Sequence, residues 1–190
     1  MRWATRRRLC RSAGDAENLL LLANAVLPHS RDEIVLESSD PAAQPAIRMN
    51  YYADPHDMKV MVAAIRRTIE IAACWPGNRK LGPLMVPPFL AEKHGYQEGE
   101  GPSDALLEDF ALHFSLTVYH PTSTCRIGDV VDPRLRVNGV ERLRVADASV
   151  MPAVIGGNTN ASSIMIGEKA AEMIAAEHGV RLAEFVGERG

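Results

Sequence analysis

The chain holds 190 residues, 46% of them hydrophobic and 24% charged, which is enough for one ordinary hydrophobic core or parts of two. A formal net charge of -3 supplies no basic footprint for a nucleic-acid partner. The three cysteines, Cys10, Cys74 and Cys125, are odd in number and widely spaced, so they suggest neither a disulfide framework nor a CxxC metal site, and they suit a reducing, cytoplasmic compartment. Arg2, Arg6, Arg7, Arg8 and Arg11 precede an apolar stretch that begins at Leu19–Leu22 and ends near Leu27, a pattern that mimics an export signal. Asp15 and Glu17 stand before that stretch, and it falls far short of the roughly 20 residues that a membrane span needs. A short helix over Ala16–Val26 is the plainer reading, and residues 1–15 receive no function.

Glu33–Ser38 and Ala46–Tyr51 are strand-like on either side of a Pro-containing turn and are expected to pair. Asp54 then has the position of an N-cap, with Pro55 first in the helix and Asp57 in its first turn, opening a helix to about Cys74. Met58, Met61, Val62, Ile65, Ile69 and Ala72 recur at three- and four-residue spacing as one buried stripe, whereas Lys59, Arg66, Arg67 and Glu70 mostly fall elsewhere. Trp75–Pro102 is dense in Pro and Gly and reads as an extended connection. Its Leu84, Met85, Val86 and Phe89 either line a site mouth or fasten the loop to the core.

Ser103 and Asp104 open a further helix, on which Leu106, Phe110, Phe114 and Thr117 share a face, and which is expected to deliver Tyr119 and His120. Asp132-Pro133 and Asn138-Gly139 mark turns, and Leu135–Val137 and Leu143–Ala146 read as short strands, the second ending at Asp147-Ala148-Ser149. A Gly156-Gly157 hinge leads to a helix from Ser162 or Ser163 to His178, stopped by Gly179. Its Ile164, Ala171 and Ile174 form a face in need of cover. The tail Val180–Gly190 has room for one helical turn.

Three pieces carry the chemistry. They are Tyr119-His120-Pro121-Thr122-Ser123-Thr124-Cys125-Arg126-Ile127-Gly128, then Leu143-Arg144-Val145-Ala146-Asp147-Ala148-Ser149-Val150-Met151-Pro152, then Gly157-Asn158-Thr159-Asn160-Ala161. Their ordered combination resembles the C-terminal signature of the glucose-methanol-choline (GMC) family of FAD-dependent oxidoreductases, closest in style to choline and other alcohol dehydrogenases. Val26–Arg31 and Tyr51–Asp57 look like the stretch where that family's substrate domain resumes, so the likeness runs from about Asn24 to His178. The resemblance implies an α+β fold. Part of a substrate-binding domain, an antiparallel sheet with helices, would occupy residues 27–134. The closing strand and C-terminal helix of a Rossmann-like FAD-binding domain would occupy 135–190, with residues 1–26 unassigned. It also implies that the chain is a C-terminal portion, because no G-x-G-x-x-G dinucleotide turn occurs in it and Gly99-Glu100-Gly101 sits in a polar loop. A missing N-terminal FAD-binding half would then be a partner.

The implied roles agree with side-chain chemistry. Oxidising an alcohol removes a hydroxyl proton and a carbon-bound hydride, so it needs a base beside an electron acceptor. The resemblance makes His120 that base and Asn160 the second member of the catalytic pair, an amide able to donate to the substrate oxygen as negative charge develops. Neither accepts a hydride, so FAD must. Asp147 and Ala148 match a second FAD contact, made by backbone amides while the Asp147 carboxylate caps a turn or bonds a hydroxyl. Gly157, Asn158, Thr159 and Asn160 match the loop past the flavin's pyrimidine edge.

Two departures stand out: the family motif has a glycine where Ser123 stands, and a longer stretch between the Cys-Arg segment and Val130-Val131-Asp132-Pro133. Two other readings remain. Cys125, His120 and Asn160 have the residue types of a cysteine peptidase, though in an unlike order and spacing, and Cys125 reads more simply as a small buried hydrophobe. The chain also suits a non-catalytic remnant that binds a partner.

Overall fold

The computed structural model describes residues 19–77 and 82–180. The described residues fall into two compact units, one made of residues up to Arg31 with Asn50–Leu116, the other of Asp32–Met49 with the residues from Thr117 onward. Small sheet plus helices is the α+β architecture expected of the sequence. No helix among the described residues is long and apolar enough to cross a membrane.

In the first unit, helix α1 (Pro55–Cys74) begins and ends as its sequence dictates. The Asp54 carboxylate accepts from the His56 amide at 2.8 Å, and Pro55 occupies the first turn, where its missing N–H costs nothing. The expected apolar stripe is the one that faces inward: Val62 is buried with Leu106 and Leu107, and Met58, Ile65 and Ile69 pack against them. Asp57, on the same first turn, is also buried and accepts from the amides of His29 at 2.7 Å and Ser30 at 2.8 Å. It ties the incoming segment to the helix. Residues 19–26 are irregular rather than helical, and the rest of the expected Ala16–Val26 helix lies outside the described residues.

The 75–102 connection is not wholly extended. A short helix α2 (Pro88–His94) lies inside it. The two residues that read as breakers are its boundaries: Pro88 sits at the first position, and Gly95, at φ 61°, closes the end in the left-handed region open to glycine. Helix α3 (Asp104–Phe114) is capped by Ser103, whose hydroxyl accepts from the Leu106 amide at 3.2 Å. His94 and Lys93 on α2 meet Asp109 of α3 at 2.7 and 2.5 Å, while Arg66 of α1 bonds Asp104 through two nitrogens. These polar clips link all three helices around the apolar cluster. Because α3 stops at Phe114, the chain reaches His120 through an irregular segment and not on the helix itself.

The second unit contains an antiparallel hairpin, β1 (Glu33–Val35) and β2 (Ala46–Arg48), in register Glu33↔Arg48, Ile34↔Ile47 and Val35↔Ala46. The strands are shorter than their alternating patterns, and Asp40 closes the turn between them by accepting the Ala42 amide at 2.9 Å. The core of this unit is Val131, Leu135, Val150, Met151, Ile166 and Ala170. Complete removal of the Val131 and Val150 side chains from water contributes about 1.5–3 kcal/mol each.

Where strands are expected at Leu135–Val137 and Leu143–Ala146, single bridges join Val131 to Val137 and Arg136 to Arg144. Leu135 at φ 64° and Arg142 at φ 59° depart from the extended backbone that a longer strand needs. Helix α4 (Asn160–Glu177) starts earlier than the serines suggested. Ser163 is not a cap; its hydroxyl and amide both donate back to the Thr159 carbonyl, at 2.8 and 2.9 Å, inside the first turn. Gly179, at φ 66°, ends the helix as expected. Glu177 at its last position binds Arg144 at 2.6 Å, with Arg134 and Arg136 close by, and so fastens the 134–144 turns to α4. Ile164 and Ile174 of the face that wanted cover are exposed, at 59% and 39%. Most of the tail, from residue 181, lies outside the described residues.

Candidate active site

The three motifs converge within the second unit. From Ser123 to Ile127 the chain runs beside a single 3-10 turn, Ala148–Val150. The amides of Ser123, Cys125 and Ile127 donate in succession to the carbonyls of Ala148, Ser149 and Val150, at 3.4, 2.9 and 3.0 Å. This one-to-one ladder binds the histidine motif to the Asp147 motif. Asp147 itself caps the 3-10 turn, its carboxylate accepting from the Ser149 amide at 2.8 Å, which is the turn-capping use of that side chain anticipated above.

His120 stands at the start of this ladder between two left-handed residues, Tyr119 at φ 65° and Ser123 at φ 72°. A side chain in that region carries a steric cost that glycine escapes, so the serine that replaces the family's glycine sits where the difference is felt. The half-buried imidazole is held at both nitrogens by the loop that enters α4. Its Nε2 lies 2.9 Å from Asn158 Oδ1, and its Nδ1 lies 3.1 Å from the Thr159 hydroxyl. Sequence reasoning placed Asn158 and Thr159 in this loop as cofactor contacts and missed their bonds to His120. No local pattern signals such a pairing, because the partners are 38 and 39 positions away.

Asn160 does not touch the imidazole. It opens α4 as an exposed first residue. Cys125 is half-buried rather than buried, its backbone amide bound to Ser149, and the two ring partners of His120 are Asn158 and Thr159, so no thiol-imidazole pair exists.

The loop that enters α4 is exposed at Gly156, Gly157 and Asn158. Neither glycine has a side chain to limit access to this loop. Thr159 takes the N-cap position of α4 without making a side-chain cap bond, which leaves the first-turn amides of an 18-residue helix available to carbonyl or anionic oxygens.

The sequence model of GMC oxidoreductases matches residues 28–167. The chain belongs to the GMC oxidoreductase family. Among curated GMC relatives it is 39% identical over 158 residues to an alcohol dehydrogenase (acceptor) of Pseudomonas putida, covering 78% of this chain and 26% of that protein. It is 40% identical over 165 residues to the choline oxidase of Arthrobacter globiformis, covering 81% and 28%. Among solved structures, a variant of the formate oxidase of Aspergillus oryzae RIB40, studied for modification of its FAD, superposes with a TM-score of 0.67 at 34% identity, covering 80% of this chain and 26% of that one. This GMC chain therefore spans about a quarter of the length of the proteins it matches. The α+β fold and the FAD cofactor expected from the motifs are those of the family.

Proposed function

We propose that this chain supplies the substrate-oxidising face of an FAD-dependent enzyme that acts on an alcohol, with His120 as the base. The observation that carries the reading is the hold on His120: a histidine fixed at both ring nitrogens by one loop, beside an exposed amide and an uncapped helix start, in a chain of this family. Residues 27–134 belong to the substrate side and 135–190 to the flavin side. Asp147, Ala148, Gly157, Asn158, Thr159 and Asn160 border the cofactor, through backbone groups at the Asp147 turn and at the glycines.

FAD, when bound, supplies the acceptor for the carbon-bound hydride. His120 takes the hydroxyl proton, a step in which a positioned base contributes about 10²–10⁴-fold. Asn160 donates its side-chain N–H to the oxygen as charge builds there, and the first-turn amides of α4 place a positive end nearby. Alcohol as substrate is supported by the alcohol dehydrogenase and choline oxidase among the relatives. Two free cysteines among the described residues, one exposed, support a reducing, cytoplasmic setting.

The test joins this chain to an FAD-binding N-terminal part from a relative and follows flavin reduction by alcohol in single turnovers. His120→Ala should slow that step by about 10²-fold or more. Asn160→Ala should slow it less, having removed one donor. Cys125→Ala should leave it nearly unchanged. Loss of activity in Cys125→Ala together with normal reduction in His120→Ala would reverse the assignment.

A further inference from the structure

The stretch from Leu19 to Leu27 keeps most of its large apolar side chains in water: Leu19, Leu20, Leu21, Leu22, Val26 and Leu27 are all exposed. Leu20 and Leu22 stand out furthest, at 76% and 66%. The stretch is irregular and leads straight into the folded first unit, where the His29 and Ser30 amides meet the buried Asp57 at 2.7 and 2.8 Å. Apolar surface gathered in this way is a contact surface, because leaving it in water forgoes the free energy of burial.

The charge beside the stretch names the contact. Residues 1–18 lie outside the described residues and enter by sequence alone: they hold Arg2, Arg6, Arg7, Arg8 and Arg11 against Asp15 and Glu17, while the whole chain has a net charge of -3. The basic charge is therefore gathered next to the exposed leucines, and the rest of the chain is acidic. A nucleic acid would engage the arginines and leave the leucines in water. A protein groove would cover the leucines and have no use for five arginines. An anionic lipid surface uses both, with the apolar side chains below the headgroups and the guanidinium groups at the phosphates. Trp3 is of the residue type favoured at that boundary. The stretch is far too short for a spanning helix, so the contact is with one face of a bilayer.

We propose that Leu19–Leu27, together with the arginines before it, docks this chain on a membrane surface rich in anionic lipid. Stable attachment takes both signals, since either one alone binds weakly and reversibly.

Flotation of the full 190-residue chain through a density gradient tests this, using phosphatidylcholine vesicles with and without phosphatidylserine. Lipid-bound protein rises and self-associated protein sinks. The unaltered chain should rise with the phosphatidylserine vesicles, less so at high salt, and bind the neutral ones far more weakly. Replacing Arg6, Arg7 and Arg8 together by Gln should lower the partition coefficient about 100-fold. Leu20→Ser with Leu22→Ser should lower it about 10-fold or more, with the thermal melt unchanged because both side chains are already exposed. No flotation of the unaltered chain, equal flotation on the two vesicle types, or flotation indifferent to the arginine substitutions would overturn the proposal. Flotation that the leucine substitutions leave unchanged would overturn it too, marking a plain polyanion site instead. Flavin reduction plays no part in the assay, so its result is separate from the assignment of His120.

Discussion

Removing the Asp57 carboxylate should be among the most damaging single changes in the first unit. Its residue is 4% exposed, and its two oxygens receive the amides of His29 and Ser30 at 2.7 and 2.8 Å. Hydrogen bonds to an ionised acceptor contribute about 1.5–3 kcal/mol each, and Asp57→Ala leaves both donors facing a space the methyl group cannot serve, so a loss of about 3–5 kcal/mol is expected. Asp57→Asn keeps one carbonyl oxygen and should lose about half as much. Urea unfolding at matched protein concentration measures the change, and amide exchange at His29 and Ser30 locates it.

The pH dependence follows from the same contacts. Burial alone raises the carboxyl, but the Ser30 hydroxyl, the His29 and Ser30 amides and the nearby His29 ring together outweigh it and hold the group below its ordinary 3.8. A carboxyl lowered in the folded state stabilises fully above its unfolded pKa. That contribution then drains away as the pH falls from about 5 through the folded value. The acid side of the stability curve should therefore be less steep in Asp57→Asn. A change below about 0.5 kcal/mol, with His29 and Ser30 exchange unaltered, would refute the reasoning.

Ser123→Gly should stabilise the second unit by about 0.5–1 kcal/mol, because a left-handed residue costs about 1–2 kcal/mol and the greater freedom of unfolded glycine returns about half of that; thermal melting of the pair of proteins decides the sign. Glu177 is held below its usual 4.5 by its bond to Arg144, against a burial effect that raises it, with the charges of Arg144, Arg136 and Arg134 adding to the lowering. Its contribution is thus present above that value and lost as the pH falls through the lower folded one, so Glu177→Gln should flatten the pH dependence of stability below about pH 5. Added salt should weaken the unaltered protein more than this variant. The 190-residue chain, which has no G-x-G-x-x-G turn, should bind FAD weakly or not at all; saturable quenching of flavin fluorescence at micromolar concentrations would contradict this.

The bounds of α1 and the start of α3 were legible because caps are local chemistry. Asp54 before Pro55, and Ser103 before Asp104, satisfy the orphan amides of their own helices, and no distant contact is required. The order of motifs was likewise sufficient to name the family and its cofactor. Local reading failed where one residue type serves two ends. Pro88 and Gly95 are breakers inside an extended loop and equally the first and last signals of a short helix, and only packing of Leu90 into the interior chooses between them. It also missed the partner of Thr159, whose hydroxyl lies 3.1 Å from His120 Nδ1.

Tertiary structure alone sent that hydroxyl to His120 and set Asn158 on the opposite nitrogen, while leaving Asn160, the residue the motif singled out, clear of the ring. The physical reason is range. Capping and periodicity are decided within a few residues of chain. The placement of an imidazole between two side chains almost forty positions away depends on the ladder from Ser123 to Ile127, whose last bond is to the carbonyl of the buried Val150.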